Sequence, residues 1–384
     1  MPGRHRGTAI ARGAGLAALN LADRAQPALA GFRRRWLVTG AAGLIGSHLL
    51  GTLLANGQEV IGLDNFATGH RNGLDSVRAA VGEEAWRRRR FIDADDVDPA
   101  ACVEASAGGD DVLHQAALGS VPRSIADPQA THAANATGFL NKLVAARDAK
   151  AARFVHAASS STYGDQPALP KVEDVIGRPL SPCTVTKYLN ELYAGLFGRC
   201  YGMATIGSRY FNVFGARHDP GGPYAAVISR WARAVLAGEP CVINGDGETS
   251  RDVCHVASAV QANVRAASTD NPAALNEVYS IAVGGRTPLN ESHRLVGEAL
   301  LASGAVDEVA APVHRDFRAG GVRHSQADIG KAQRLLGHVP THDVRAGLAE
   351  AVQWYVGRFE RTGGMPPAGF SAREIDAMKR EGRA

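Results

Sequence analysis

A chain of 384 residues with 45% hydrophobic and 21% charged residues is long enough to bury a full core and has the composition of an ordinary soluble globular protein. No apolar run approaches the roughly 18 residues that a membrane-spanning helix needs, so we expect no membrane segment. Residues 1–35 carry seven arginines and one aspartate, a net charge of +6. Because the whole chain has a net charge of +4, the remaining residues carry about −2, which argues against a nucleic-acid-binding protein.

Residues 1–35 are predicted to form a basic, mobile extension. The apolar stretch within it, at 13–22, is short and is bounded by Arg12 and Asp23, which argues against a secretory signal. Because the segment is rich in arginine and poor in acids, it also resembles a transit peptide, and a targeting role stays open as the alternative.

The cysteines are odd in number and show no Cys-x-x-Cys spacing, which argues against a disulfide framework and against a zinc site. They are Cys102, Cys183, Cys200, Cys241 and Cys254. We therefore predict no metal and a reducing, cytoplasmic environment.

The stretch 36–47 combines the end of an apolar strand with glycines three residues apart. Gly40 can adopt backbone angles that a side chain forbids, Gly43 lets the main chain approach a diphosphate, and Gly46 lets a helix lie close to the strand. The helix predicted at 46–55 directs its free N–H groups and positive dipole end at that diphosphate. A strand–helix turn without a ligand is the alternative. The cofactor-binding residues predicted in this turn are Gly40, Gly43, Leu44, Ile45 and Gly46.

A second apolar strand, at 59–63, ends at Asp64. A carboxylate at this place accepts hydrogen bonds from the ribose hydroxyls of adenosine and repels a 2′-phosphate, so we predict NAD rather than NADP as the cofactor. Asn65 follows directly and is included among the predicted cofactor contacts.

Further strands alternate with helices along the chain. The basic run 87–90 is interpreted as a solvated helix end, and the strand predicted after it ends at Asp95, an acid that could face the adenine amine. Gln115, Ala116 and Ala117 close the next strand and suit the middle of the cofactor. Strands are predicted at 91–95, 111–117, 153–158 and 203–208, and helices at 135–149 and 182–200. This alternation predicts an α/β fold with a Rossmann-type doubly wound parallel sheet, which binds ligands at the carboxyl ends of its strands.

Beyond Tyr210 the pattern loosens into short elements separated by Gly- and Pro-rich loops. We predict an NAD-binding domain at 36–210, a smaller substrate-binding lobe at 211–359 that interleaves with it, and a tail at 360–384.

Several segments together resemble the NAD-dependent epimerases and dehydratases of the extended short-chain dehydrogenase/reductase family, and specifically the UDP-N-acetylglucosamine 4-epimerases. The matching segments are 37–40, 63–69, 113–124, 158–164, 181–188, 209–215, 243–252 and 315–328. The resemblance implies tightly bound NAD, a UDP-sugar partner, and removal and return of hydride at C4 through a 4-keto intermediate. It also implies a homodimer joined by a four-helix bundle from 135–149 and 182–200.

The chemistry requires a base for the 4-hydroxyl proton, a cation that tunes the base, and a hydroxyl that bridges oxygen and base. The resemblance assigns the hydroxyl to Ser159 and the cation to Lys187, which also contacts the nicotinamide ribose. A turn-capping serine and a surface lysine are the alternatives.

The family's catalytic tyrosine is replaced by Cys183. A thiol is more acidic than a phenol, so acidity is no obstacle, but its sulfur lies a whole ring short of the phenol oxygen. Tyr163 is not an obvious substitute. Three interpretations stay open: slow epimerisation through an inserted water, a catalytically impaired protein that binds NAD and UDP-sugar, and a changed reaction.

On the substrate side, the resemblance assigns Arg251 and Arg318 to the diphosphate, a task suited to a planar fork of donors. Ser325 occupies the position whose small side chain leaves room for an N-acetyl group, which favours N-acetylhexosamines or their uronic acids. The other predicted substrate contacts are Ser120, Arg123, Ser160, Ser161 and Asn212. Ser160 and Ser161 stand where dehydratases need an acid pair, which argues against elimination of water.

Overall fold

One parallel sheet of seven strands forms the centre of the computed structural model, which describes residues 26–219, 227–317 and 322–361. The strands, in chain order, are β1 (Arg35–Thr39), β2 (Glu59–Asp64), β3 (Arg89–Asp93), β4 (Asp111–His114), β5 (Arg153–Ser159), β6 (Thr205–Tyr210), β7 (Val213–Phe214), β8 (Val242–Asn244), β9 (Ser250–Arg251), β10 (Cys254–His255), β11 (Glu277–Ile281), β12 (Thr287–Pro288) and β13 (Val313–Arg315). The central sheet has the spatial order β11-β6-β5-β4-β1-β2-β3, and its neighbours all pair in parallel. This confirms the predicted Rossmann-type sheet.

The described helices either cover the two faces of this sheet or pack in a second core apart from it. They are α1 (Gln26–Leu29), α2 (Leu44–Ala55), α3 (Arg71–Trp86), α4 (Pro99–Ser106), α5 (Val121–Ala126), α6 (Pro128–His132), α7 (Gly138–Asp148), α8 (Pro182–Tyr201), α9 (Val227–Leu236), α10 (Val256–Ser268), α11 (Leu289–Ala302), α12 (Gly330–Leu336) and α13 (Val344–Arg361). Val38 of β1 belongs to the same core as α2 and α10, whereas Leu37 packs with Phe139 of α7 and Phe197 of α8. Successive strand residues point to opposite faces, so the sheet is buried on both sides and only its strand ends are left for a ligand.

Helix α8 shows how local sequence sets an element. Ser181 accepts a hydrogen bond from the Thr184 N–H at 3.2 Å, Pro182 occupies the first turn, and Gly202 ends the helix in the left-handed conformation at φ +67°. Ser181 followed by Pro182 is the signal from which the start of this helix was predicted, and the structure adds the side-chain N-cap and the final glycine.

A second core lies among α9, α11 and α13, where Trp231, Val296 and Leu348 are buried. The chain between these helices returns to the central sheet, since β11 pairs with β6 and α10 packs with α2. The predicted NAD-binding domain therefore lacks one strand of its sheet. The reason is that β11 joins the sheet by pairing with β6, which is distant in sequence, so the local pattern does not show that it belongs there.

Several predicted boundaries are corrected. The run 87–90 is not only a helix end, because Arg89 and Arg90 begin β3, where Arg89 stacks on the Trp86 ring at 3.9 Å. The predicted strand at 91–95 therefore ends at Asp93, and the strand at 111–117 ends at His114, which leaves Asp95 and Gln115 in loops. The helix predicted at 135–149 begins as a turn of π-helix, Ala133–Thr137. The strand predicted at 203–208 is Thr205–Tyr210.

The folded part of the chain begins earlier than predicted. Leu29 of α1 is buried in the core with α2, and Arg34 pairs with the carboxylate of Asp111 at 3.0 Å. Burial of Leu29 and the ion pair of Arg34 therefore fix the end of the segment 1–35, which was predicted to be mobile, to the folded part of the chain. Residues 1–25 of that extension and 362–384 of the predicted tail lie outside the described residues. In the three described ranges no helix has both the length and the apolar character needed to cross a membrane.

Candidate active site

The glycine-rich turn after β1 leaves no room for side chains. Gly40 has φ +61°, and a Cβ built on it would lie 2.8 Å from the backbone nitrogen of Ala116. A Cβ on Gly46 would overlap the carbonyl oxygen of Gly40. The turn is closed by the Gly43 N–H, which donates to Gly40 O at 3.0 Å. The first turn of α2 can therefore present its N–H groups directly to a ligand.

A cavity of about 410 Å³ lies above this turn, at the carboxyl ends of β1, β2 and β4. Its lining includes Gly40, Gly43, Leu44, Ile45, Gly46, Asp64, Asn65, Asp95, Gln115, Ala116 and Ala117. These are the predicted cofactor residues except Lys187, which does not line it. The glycine turn leaves room for a diphosphate where a Cβ would otherwise stand, and Asp64 beside it offers a carboxylate to a ribose. These two features fit a dinucleotide such as NAD.

Backbone donors anchor Asp64 at the edge of the cavity. Its two carboxylate oxygens accept hydrogen bonds from the Ala42 N–H at 2.9 Å and the Phe66 N–H at 2.7 Å. Burial raises the pKa of Asp64 above its usual value, although both N–H groups favour the charged form. Beyond it, Asn65 donates to Asp95 at 2.7 Å, which ties together the two loops around the adenosine end.

Ser159 ends β5, and its hydroxyl oxygen accepts hydrogen bonds from the N–H and the hydroxyl of Ser161 at 3.1 and 2.9 Å. It thus caps the 3-10 turn Ser160–Tyr163, which was its alternative role, and it stands at the strand end as the active-site prediction requires. A hydroxyl can do both, because it donates one proton and offers two lone pairs.

Lys187 is buried, with 6% of its surface exposed, and its Nζ donates to the carbonyl oxygen of Ala157 at 2.8 Å. The alternative of a surface lysine is therefore wrong. Burial lowers the pKa of Lys187 to about 8, although Cys183 and Glu191 favour its charged form.

Cys183 lies one turn before Lys187 and is also buried, with its Sγ 3.7 Å from the carbonyl oxygen of Leu118. Burial raises the pKa of the Cys183 thiol above its usual value, and the nearby charge of Lys187 only partly opposes this. Acidity was expected to be no obstacle for a thiol at this position. The burial of the side chain corrects that expectation, because it favours the protonated, non-basic form.

Tyr163 does not take the place of the missing tyrosine. Its hydroxyl is 2.6 Å from the hydroxyl of Ser280, its ring lies against the guanidinium of Arg209, and only 2% of its surface is exposed. Burial raises its pKa above the usual value. Its hydroxyl is directed at β11 and not at the cavity.

The predicted sugar-loop residues have local roles in the structure. Ser120 caps α5 by accepting a hydrogen bond from the Arg123 N–H at 3.3 Å, and Arg123 itself is exposed. Ser160 and Ser161 lie in the turn after β5. Asn212 has φ +37° and donates to the Asp252 carbonyl oxygen at 2.9 Å, so its side chain links β6 to the segment of Arg251.

Arg251 and Ser325 lie side by side. The Arg251 guanidinium donates to the carbonyl oxygens of Ser250 and Arg323 at 2.9 and 3.2 Å, and the Ser325 N–H donates to Ser250 O at 3.1 Å. Burial lowers the pKa of Arg251 below its usual value. Arg318, the predicted second arginine of the diphosphate site, lies outside the described residues.

The cavity lining also includes residues that were not predicted, and three of them are charged or titratable: His70, Arg217 and Asp219. His70 Nε2 is 2.6 Å from a carboxylate oxygen of Asp219. Arg217 is buried, and its Nε donates at 3.0 Å to Ser47, in the first turn of α2. Burial lowers the pKa of Arg217 to about 9. The signal that could have found Arg217 and Asp219 is their position just after the matching segment 209–215.

In the smaller lobe, His255, His342 and Glu350 come together, with both imidazole Nε2 atoms 3.3–3.9 Å from the carboxylate. The Ala257 N–H points at His255 Nδ1 at 3.4 Å, which places the ring proton of neutral His255 on Nε2. That nitrogen is then a donor towards Glu350 and not a free ligand, so we assign no metal to this group.

Comparisons with known proteins agree with this geometry. Residues 36–282 match the family model described as the NAD dependent epimerase/dehydratase family. A UDP-glucose 4-epimerase of Mycolicibacterium smegmatis is 35% identical over 84% of this chain and 98% of its own. A UDP-N-acetylglucosamine 4-epimerase from Methanobrevibacter ruminantium, solved in complex with UDP-N-acetylmuramic acid, has a TM-score of 0.77 at 31% identity and covers 85% of this chain and 99% of its own. A UDP-glucuronic acid 4-epimerase from Bacillus cereus, solved with UDP-glucuronic acid and NAD, has a TM-score of 0.74 at 27% identity over 84% and 99%.

Proposed function

The chain belongs to the NAD dependent epimerase/dehydratase family, and from this premise we propose that it is a UDP-sugar 4-epimerase that acts on UDP-N-acetylhexosamines or their uronic acids. Bound NAD supplies reversible exchange of a hydride with C4 of the sugar. One observation carries the proposal: Ser159 ends β5, and the Lys187 Nζ donates to Ala157 at the same end of that strand. The carboxyl ends of other strands in the same sheet line the 410 Å³ cavity.

In this proposal each side chain has a task that its surroundings support. Ser159 accepts and donates hydrogen bonds at the sugar 4-oxygen, and Arg251 binds the diphosphate with the donors that its two carbonyl contacts leave unused. Arg217 supplies positive charge beside the first turn of α2, where the cofactor diphosphate would lie.

The preference for an N-acetylated sugar rests on Ser325. Its side chain is small, and within the described residues its buried hydroxyl oxygen has no hydrogen-bond partner. A buried polar group without a partner costs free energy, and the carbonyl of an N-acetyl group would supply one. The resemblance to the Methanobrevibacter ruminantium enzyme, solved with an N-acetylated UDP-sugar, supports the same class.

The alternative is a catalytically impaired homologue that binds NAD and UDP-sugar. The observation that favours it is Cys183, since a buried, protonated thiol stands where the family has a tyrosine.

The experiment is to incubate the purified full chain, with NAD added, separately with UDP-GlcNAc, its uronic acid and UDP-glucose. Anion-exchange chromatography then separates each sugar nucleotide from its 4-epimer. We expect interconversion of the N-acetylated substrates and a large loss of rate in Ser159→Ala, with Ser303→Ala as a control away from the cavity. Binding of NAD and UDP-GlcNAc without turnover would support the impaired homologue instead.

We also propose a homodimer in a reducing compartment such as the cytoplasm. Apolar side chains on the outer faces of α5 and α8 are exposed, and they include Ile125, Val185, Leu192 and Leu196. Most of α7 is buried within its own chain, so α8 and α5 supply the apolar face of the proposed bundle. All five cysteines are free thiols, which supports a reducing environment.

A further inference from the structure

Lys187 is held in an environment that disfavours its positive charge. It lies on the buried face of α8 that also carries Cys183 and Glu191, and its Nζ donates to the Ala157 carbonyl oxygen at the end of β5. A carbonyl can accept from a neutral amine as well as from an ammonium, so this contact does not require the charged form.

The acid that faces Lys187 is already engaged. Both oxygens of Glu191 accept hydrogen bonds from the Arg209 guanidinium, at 2.9 and 2.7 Å, and both side chains are buried. Glu191 therefore serves mainly as the partner of Arg209, and its attraction for Lys187 only moderates the effect of burial.

The other titratable groups around Lys187 are uncharged. His114 on β4 and His156 on β5 are buried, and burial lowers the pKa of His156 to about 3. Cys183 stays protonated for the reason given above. A buried amine with one carbonyl contact, neutral neighbours and an engaged acid is poised to lose its proton near neutral pH, and the positive charge of oxidised NAD would favour this further.

We propose that Lys187 itself is the general base: its neutral Nζ takes the proton of the sugar 4-hydroxyl through a water molecule beside Cys183. A cysteine ends a whole ring short of a tyrosine oxygen, and in this proposal a water molecule takes the place of that ring between Nζ and the sugar. This inference rests on the proposed epimerase function and explains how a chain without the tyrosine completes the reaction.

The step balances as follows. The O–H bond of the 4-hydroxyl breaks, its proton passes to the water while a proton of that water passes to Nζ, and the O–H electron pair becomes the second bond of the C4 carbonyl. Bound NAD would supply the two-electron oxidant that accepts the C4 hydride. On return of the hydride to the other face, the Lys187 ammonium gives the proton back by the same route, so no net proton or electron is consumed.

The first test compares pH–rate profiles of the NAD-loaded full chain on UDP-GlcNAc. In the wild type, kcat/KM should rise with pH to a plateau, with a midpoint at or below the value of about 8 set by Lys187. Lys187→Arg keeps the charge but removes the base and should lose roughly 10²- to 10⁴-fold in rate. Cys183→Ala should keep the wild-type midpoint, and the exposed Lys150→Arg serves as the matched control.

The second test measures the Lys187 pKa without any turnover. NMR of the chain labelled with ¹³C at lysine Cε should show one signal that titrates near 8, falls further with NAD, and is missing from Lys187→Met and Lys187→Arg. The lysines to be resolved are Lys142, Lys150, Lys171, Lys187, Lys331 and Lys379.

The outcomes separate the two proposals. A Lys187 signal that titrates above 10 overturns the role of Lys187. The same holds if Lys187→Arg keeps the wild-type rate while Cys183→Ala loses it. Either result leaves the proposed epimerase function in place. Absence of interconversion in both the wild type and Cys183→Tyr, with NAD and UDP-sugar bound, overturns the function itself.

Discussion

At the scale of single residues, the chemistry turns on how far a side chain reaches. Cys183 and Lys187 lie one helical turn apart on the buried face of α8, and neither reaches the place that a tyrosine oxygen would occupy. In the proposed mechanism, the Lys187 Nζ accepts a proton from that place only by way of an intervening water molecule. A relay of this kind is slower than direct transfer because an extra molecule must be ordered.

Cys183→Tyr should therefore raise kcat on UDP-GlcNAc by about 10²-fold, the lower end of the 10²- to 10⁴-fold that positioned acid–base groups contribute. A phenol beside Lys187 contacts the sugar oxygen directly and passes its proton to the neutral Nζ of Lys187 without an ordered water. Initial rates at saturating substrate measure the gain. Cys200→Tyr, at an exposed cysteine of the same helix, should leave the rate unchanged. A Cys183→Tyr enzyme that is no faster would mean that another part of the site is impaired.

Ser325→Tyr should select against N-acetylated substrates. The Ser325 N–H donates to the Ser250 carbonyl oxygen, which also accepts from Arg251, so a bulky side chain at 325 would lie close to Arg251. We expect kcat/KM for UDP-GlcNAc to fall at least about tenfold relative to UDP-glucose, in line with the 1–3 kcal/mol that small changes of pocket volume are worth. Parallel assays of the two substrates give the ratio, and Ser325→Ala is the control for loss of the hydroxyl. An unchanged ratio in Ser325→Tyr would place the N-acetyl group elsewhere.

At the scale of elements, a buried ion pair joins the loop after β3 to α7. Lys142 Nζ lies 3.3 Å from a carboxylate oxygen of Asp96, and both side chains are almost completely buried. Burial raises the pKa of Asp96 to about 6, although Lys142 opposes this. Because this pKa is higher in the folded than in the unfolded state, protonation of Asp96 favours folding. Its ionisation therefore lowers stability progressively as the pH rises from about 4 to 6.

Replacing one partner of this pair should be far worse than replacing both. Lys142→Leu leaves the Asp96 carboxylate buried without its cation and should cost about 3–5 kcal/mol of unfolding free energy at pH 7, whereas Lys142→Leu with Asp96→Leu should be neutral or stabilising. Urea unfolding followed by circular dichroism at pH 5 and pH 7 measures both. The double variant should also lose the part of the pH dependence that Asp96 contributes. Equal losses in the single and double variants would show that the pair is a net source of stability.

The elements predictable from the sequence are those whose signal is local. The glycine turn, the acid after β2 and the capped start of α8 each carry their cause in a few adjacent residues, and the structure has them at or within two residues of the predicted places. The seventh strand, the π-helical turn before α7 and the place of Arg217 depend on contacts distant in sequence. Asn135 in that turn holds Leu118 by two hydrogen bonds, at 2.7 and 2.9 Å, which no periodicity reveals. The raised pKa of Cys183 could not be predicted either, because it follows from burial.

At the scale of the whole molecule, the two parts of the chain depend on one another. The smaller lobe has its own core, yet the chain that forms it also supplies β11 and α10 to the sheet and Arg217 to the edge of the cofactor cavity. Asp219, on the same loop as Arg217, contacts His70 in the cavity lining and lies 3.6 Å from Arg358 of α13. A cofactor in the cavity would therefore touch segments from both halves of the sequence, so NAD should stabilise the molecule as a unit.

The exposed apolar face of α8 remains to be covered, and we expect a second copy of the chain to cover it. Leu192 and Leu196 are 51% and 41% exposed, one helical turn apart, and Ile125 of α5 adds to the same kind of surface. Leu192→Glu with Leu196→Lys places an (i, i+4) ion pair on this face, which an isolated helix tolerates but an apolar interface does not. Light scattering coupled to gel filtration should show a dimer for the wild type and a monomer for this variant, with unfolding little changed. Val103→Glu, at an apolar side chain on α4 that is 62% exposed, should stay dimeric. A dimer that survives the double change would have to be formed by another surface.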